Sequence, residues 1–252
     1  MDVKEAALDI SHWDGTLSLN DFSIAASAFS EKWKRFNPGV PPWSWVPCPK
    51  QHLVSSHRVE GYLQLENFCC VKSSEKELVE VTLTQKAESG RSNKEECFDY
   101  ATLVCSEQPH EVIHYDFHIV YSASYRVPVL YFRAYHTDGQ PLLFNDIEKD
   151  LPGNSAKLPS ESKWTFITQE EHPYLNRPWY KLHPCGTGEW MKLLFLGDPL
   201  LTVKGQLIER YLVSWFSVVG QVVGLKLPLG MLDSIVSTYS CTNDEKNGNT
   251  EK

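Results

Sequence analysis

The chain has no C-x-x-C pair, no block of basic residues and no uninterrupted apolar run of membrane length. Its seven cysteines, Cys48, Cys69, Cys70, Cys97, Cys105, Cys185 and Cys241, are scattered. Without paired spacing, neither a zinc ribbon nor a thioredoxin-like motif has a sequence basis. Reduced thiols of a cytoplasmic protein are the natural reading of such an odd, dispersed set. The formal net charge of −8 and pI near 5.6 argue against a protein built to hold a phosphate backbone, so no nucleic-acid partner is expected. The opening MDVKEAALDI is polar and acidic and lacks the apolar core of a signal peptide. One stretch, Tyr211 to Leu232, invites a membrane reading, but Gln221, Lys226 and Pro228 interrupt it. A spanning helix needs roughly 20 predominantly apolar residues. The stretch therefore reads as a buried core helix, in which the G-x-x-x-G of Gly220 and Gly224 marks close packing. There is no G-x-S-x-G, P-loop or dinucleotide fingerprint, and no internal repeat.

What the chain does have is core. Its 252 residues are 42% hydrophobic, and 8 of them are Trp, so one domain with an aromatic interior is expected. Phe22, Ala25, Ala26, Phe29 and Trp33 recur at helical spacing and predict a first helix over 17–36, capped by Asn20 or Asp21 and stopped by Pro38, Gly39, Pro41 and Pro42. Trp43 and Trp45 read as packing residues that pin a proline-rich loop to the core. GYLQLENFCCV, 61–71, reads as a strand. The charged, Ser/Lys/Glu-rich run over 73–96 reads as a mobile insertion. In EVIHYDFHIVYSASY, Ile113, Tyr115, Phe117, Ile119 and Tyr121 share one face, and His114, Asp116, His118 and Ser122 the other. This alternation predicts a strand with one buried and one solvated face, paired as a hairpin with the β-rich run over 126–135. The free edge of that hairpin is the expected docking edge for a partner strand. A turn at 137–140, a short helix over 142–151, an irregular stretch over 171–188 and a helix from about Lys204 complete the pattern. The order is that of an α+β protein. Residues 1–240 are expected to form one domain, and 241–252 a disordered tail.

The chemistry concentrates in YKLHPCGTG, 180–188. Pro184 biases His183 toward extended backbone. If the chain stays extended through Cys185, the imidazole and the thiol project to the same side. A histidine beside a thiol can take its proton or favour the thiolate. Gly186 and Gly188 let a substrate backbone approach closely, having no Cβ. The papain-type context C-G-[SA]-C-[WY] is absent. His114, Asp116 and His118 form H-x-D-x-H, but with no further ligand nearby they read as a solvated sheet face, and no metal site is expected.

Three segments together carry a resemblance: HPYLNRPWYKLHPCGTGEWM (172–191), YLVSWFSVVGQVVGLKLPLG (211–230) and DFHIVYSASYRVPVLYFRA (116–134). They closely resemble the autophagy-related protein ten family, the E2-like conjugating enzymes that support autophagosome formation. The resemblance is strong over 115–230 and loose over the first helix. It implies a ubiquitin-conjugating-type core with an N-terminal helix, an antiparallel sheet and C-terminal helices. It implies that Cys185 carries the ubiquitin-like autophagy protein twelve as a thioester, received from the E1-like autophagy protein seven and passed to a lysine of autophagy protein five. No cofactor or metal is implied, because ATP is consumed at the activating enzyme. Ordinary ubiquitin-conjugating enzymes use H-P-N; here His172-Pro173 is followed by Tyr174. His183, Tyr121 and Asn176 are the candidates for the missing asparagine's task. Two other readings share the same fold: a catalytically silent adaptor for the same partners, and a cysteine hydrolase of their conjugates.

Overall fold

The apolar stripe of the first helix folds as its spacing predicts. Phe22, Ala25, Ala26, Phe29 and Trp33 form the buried side of helix α1, Leu19–Phe36. Its cap lies two positions before Asn20, at Ser18. Ser18 has extended backbone and its hydroxyl accepts the N–H of Asp21 at 3.1 Å, whereas Asp21 lies in the first turn and pairs with Lys204 at 2.9 Å. An N-cap must be non-helical and offer an oxygen two or three residues ahead, which Ser18 does and Asn20, already helical, cannot.

The computed structural model describes residues 12–48, 60–72, 111–150, 167–196, 201 and 203–233. The expected insertion over 73–96 and tail over 241–252 lie outside them. Six strands form one antiparallel sheet: β1 Ser44–Pro47, β2 Gly61–Lys72, β3 Glu111–Ser122, β4 Val127–His136, β5 Ile167–Glu171 and β6 Pro178–Leu182, in the order β1-β2-β3-β4-β6-β5. The predicted hairpin is β3–β4, in register from Ile113↔His136 to Ser122↔Val127. Both strands are interior, because β2 covers the far side of β3 and β6 joins β4 at Tyr131 and Phe132. The docking edge expected there is therefore occupied, and among the described residues the outer strands are β1 and β5. β2 departs from simple alternation. A bulge between Leu65 and Phe68, with Asn67 at φ +55°, moves the core-facing set from Leu63 and Leu65 to Phe68 and Cys70. One extra residue shifts every later side chain to the other face, and the bulge absorbs that shift.

Helices α2 Phe144–Asp150, α3 Thr187–Leu196, α4 Lys204–Val222 and α5 Leu229–Asp233 complete the fold. α1 and α4 pack together over one face of the sheet. Phe29, Trp33, Trp43 and Phe216 meet there with ring centroids 5.3–6.1 Å apart, tilted or edge-on, as aromatic quadrupoles prefer. Val218, expected inside, is an exposed position of α4. The G-x-x-x-G pair serves the end of this helix: the Leu225 N–H donates to the Gly220 carbonyl at 2.8 Å, and Gly224 takes φ +75°. No helix among the described residues is long and apolar enough to cross a membrane.

The other face of the sheet differs from the solvated face expected. Tyr62, Val120, Val129, Tyr131 and Trp179 form a second buried cluster, covered by the turn between β5 and β6. His118 belongs to this face and is only 2% exposed.

Candidate active site

β6 delivers His183, Pro184 and Cys185 to the edge of the helical layer. There the chain turns instead of staying extended. Gly186 adopts φ +75°, a region that costs a glycine nothing, and the Thr187 N–H donates to the Pro184 carbonyl at 3.1 Å. α3 begins at once, with the Trp190 N–H on the Gly186 carbonyl at 3.1 Å. Cys185 is a half-buried thiol outside any disulfide at this junction. The irregular stretch expected over 171–188 thus ends in a helix, in a segment to which the sequence reading assigned no element.

His183 and Cys185 are together, but through the backbone. The Cys185 N–H donates to His183 Nδ1 at 3.2 Å. A nitrogen that accepts is unprotonated, so in neutral His183 the proton sits on Nε2. Tyr125, in the β3–β4 turn, meets the imidazole edge-on at 5.7 Å.

Gly188 is not left open to a substrate. Its backbone is met by Gly15, where a Cβ would stand 1.8 Å from the Gly188 oxygen. The loop Asp14–Gly15–Thr16 thus lies against the first turn of α3. It is held from behind by Tyr211, whose hydroxyl donates to the Gly15 carbonyl at 2.8 Å. Asp14 accepts from the Thr16 hydroxyl at 2.6 Å and pairs with Arg126 at 3.2 Å; the Thr16 hydrogen bond, then Arg126, hold its carboxyl below the usual range. Sequence reading missed this loop, although Asp-Gly is a turn signal.

The hydroxyl proton of Tyr121 is already committed. Its hydroxyl donates to the Leu17 carbonyl at 2.8 Å, its ring packs on Phe22 at 5.5 Å, and burial raises its pKa. Asn176 sits exposed at the tip of the β5–β6 turn with φ +50°, which Asn tolerates better than most residues. Its N–H donates to the His172 carbonyl at 3.1 Å.

The three residues of H-x-D-x-H each have a neighbour of their own. His114 Nδ1 lies 3.5 Å from the Cys69 sulfur, and Asp116 accepts the Asn67 N–H at 3.1 Å. His118 Nδ1 lies 3.0 Å from Nε2 of His172, which is fully buried. Tyr174 donates its N–H to His172 Nδ1 at 3.3 Å. That fixes the order of protons: His172 Nε2–H donates to His118 Nδ1. Burial holds both imidazoles neutral, pushing His118 down to about 3, with help from His172 and nearby arginines, and His172 down to about 4.

A cavity of about 260 Å³ opens on the same face, walled by Ser122, Ala123, Tyr131, Tyr174 and Lys181 among others. Lys181 pairs with Glu170 at 2.7 Å, and Glu170 also accepts from the Thr168 hydroxyl at 3.0 Å. The Lys181 ammonium beside it, and then Thr168 and His183, hold the Glu170 carboxyl below its ordinary value.

Residues 21–230 match the family model described as "Autophagocytosis associated protein, active-site domain". The chain is 53% identical over 220 residues to the Ubiquitin-like-conjugating enzyme ATG10 of Arabidopsis thaliana, covering 87% of this chain and 96% of that protein. The chain belongs to the ATG10 family. It is 34% identical to the Homo sapiens member over 192 residues, covering 74% and 80%. It is 39% identical to the Dictyostelium discoideum member over 126 residues, covering 48% and 55%. The ATG10 chain described here is thus an E2-like enzyme of the autophagy conjugation pathway, with the N-terminal helix, antiparallel sheet and C-terminal helices its sequence predicts.

Proposed function

We propose that Cys185 accepts a ubiquitin-like protein as a thioester from an E1-like activating enzyme and hands it to a lysine amine of an acceptor protein. The observation that carries this reading is the half-buried reduced thiol at the β6–α3 junction, held by a turn that Gly186, Gly188 and Gly15 all shape. The resemblance names the partners: autophagy protein seven as activating enzyme, protein twelve as cargo and protein five as acceptor, in a cytoplasmic single-domain enzyme. Two acyl transfers follow. The Cys185 thiolate displaces the activating enzyme's sulfur, and a neutral lysine amine then displaces Cys185. Each passes through a tetrahedral oxyanion that needs donors, and most of the rate comes from positioning two proteins around one sulfur.

His183 enters as a donor more readily than as a base, because the Cys185 N–H already occupies Nδ1 and leaves Nε2–H for the oxyanion. Tyr121 supports the site through the Leu17 carbonyl.

The test is a non-reducing gel after incubation with protein seven, ATP and protein twelve. Wild type should give a thiol-labile adduct. Cys185→Ala should give none, and Cys185→Ser a thiol-resistant ester. A labile adduct on Cys185→Ala would move the site to another cysteine. No adduct on wild type would leave the adaptor reading, and release of protein twelve from a conjugate would favour the hydrolase.

A further inference from the structure

Lys181 is the lysine closest to Cys185 in sequence, four residues before it. On a strand, residues two apart leave the same face, so Lys181 and His183 lie on one side of β6 and its continuation. Both also act on one carboxylate, Glu170 of the neighbouring strand β5. The strand that leads to the thiol thus carries an amine of its own four residues before it.

That amine is held. Lys181 Nζ lies 2.7 Å from Glu170 Oε2, and its side chain is 13% exposed against 41% for Glu170. An ammonium withdrawn that far from water needs a partner charge. Thr168 fixes the other carboxylate oxygen at 3.0 Å, so Glu170 presents Oε2 to Lys181 in one orientation. The register puts Thr168 opposite Lys181 and Glu170 on the diagonal, a close cross-strand arrangement for such a contact. A surface ion pair with two mobile partners contributes little, but this one has one half-enclosed partner and one anchored partner.

We propose that the Glu170–Lys181 pair withholds the chain's own amine from an acyl group on Cys185, and so makes the acceptor protein's lysine the recipient. This rests on the thioester reading above. The reaction it suppresses is an ordinary aminolysis. A neutral Lys181 nitrogen adds to the thioester carbonyl carbon, and the C–S bond breaks with its electron pair on the Cys185 sulfur. The proton lost by nitrogen ends on that thiol. The products are an isopeptide on Lys181 and a free Cys185, an enzyme blocked by its own cargo. An ammonium paired with a carboxylate has no lone pair to start this step. Removing the carboxylate charge leaves an enclosed ammonium without its partner, and the side chain is released from β5.

The experiment uses the full-length chain as wild type, Glu170→Gln, Glu170→Asp, Lys181→Arg and Glu170→Gln/Lys181→Arg. Each is charged with an E1-like activating enzyme, ATP and the ubiquitin-like protein, without acceptor. Gels with and without thiol separate the labile thioester from the resistant isopeptide, and peptide mapping locates the latter. The labile adduct should form on all five chains. The resistant adduct should rise about tenfold in Glu170→Gln, the factor that about 1.4 kcal/mol of lost pairing corresponds to. It should rise less in Glu170→Asp, map to Lys181, and vanish in the double variant, since a guanidinium is not a competent acceptor. A labile adduct with no rise in the resistant one, in either Glu170 variant, overturns the proposal and leaves the thioester reading standing. So does a rise mapped to another lysine. Failure of wild type to form any labile adduct overturns both.

Discussion

His183 has two ring nitrogens, and the structure accounts for one of them. Nδ1 receives the Cys185 N–H, which pins the backbone of the thiol residue. Nε2 carries the proton and is the atom with chemistry left to do. The two jobs can be separated by substitution. His183→Asn places an amide oxygen near the Nδ1 position and keeps the backbone contact. His183→Gln places its polar atoms near the Nε2 position and keeps a distal donor. If the distal N–H steadies the oxyanion, transfer to lysine should fall at least about tenfold in His183→Asn and less in His183→Gln, since one such donor is worth about 10²–10³. Charging by the activating enzyme should fall less than transfer in both, because a thiol needs less help than an amine. Single-turnover discharge of preformed adduct measures this. The reverse order, with Asn the better variant, would assign His183 to the backbone alone.

The β6–α3 junction shows how far an element can be read before it is seen. Strands with one clean face were legible: the odd positions of β3 from Ile113 to Ile119 are all buried, as their alternation says. What covers the even face was not, because alternation reports which residues share a side and says nothing of the segment that packs there. So His118 was expected in water and lies under Trp179, 4.2 Å between ring centroids. α3 was hidden for a different reason. Pro184, Gly186 and Gly188 are breakers in a local reading, and only the turn at Cys185 converts them into the entry of a helix. The two glycines were assigned to a substrate, and the structure gives one to a left-handed turn and the other to Gly15. Cys185 was legible as a candidate from its place between Pro184 and Gly186. The element-scale consequence concerns Gly15. It holds φ +79° and a Cβ there would meet the Gly188 backbone, which cannot move without moving α3. Gly15→Ala should cost on the order of 3 kcal/mol or more and lower adduct formation with it. Gly39→Ala, where a Cβ meets nothing within 4 Å, should be nearly neutral. Comparable thermal midpoints for the two would mean that the Asp14–Thr16 loop is not fastened to α3.

At the scale of the whole molecule, the two faces of the sheet answer differently to acid. The helical face is aromatic and aliphatic, and against the opposing effect of burial Lys204 and Ser18 hold its buried carboxyl, Asp21, below its ordinary value. The other face buries two neutral imidazoles that clasp β3 to the β5–β6 turn, and β6 leads straight to Cys185. Burial lowers both from an ordinary 6.5, to about 3 for His118 and about 4 for His172. The unfolded chain therefore binds protons that the folded chain refuses. Stability from the pair is fully present above about pH 6.5 and is lost as pH falls from there toward 4, by up to about 1.4 kcal/mol per pH unit for each histidine. The lowered carboxyls of Asp14, Asp21 and Glu170 act in the same direction, but only below their ordinary values of 3.8, 3.8 and 4.5. The window from pH 6 to 5 thus belongs to histidine. Urea unfolding across it should show wild type losing stability steeply. His118→Asn, whose amide oxygen can still accept from His172 Nε2–H, should start lower but lose stability with about half the slope contributed by the pair. In wild type, the ring proton resonances of His118 and His172 should stay put from pH 7.5 to 5, a reading that needs no variant. Resonances that titrate near 6.5, or equal urea slopes for the two chains, would show that the pair takes up protons in the folded state and that acid does not act through it.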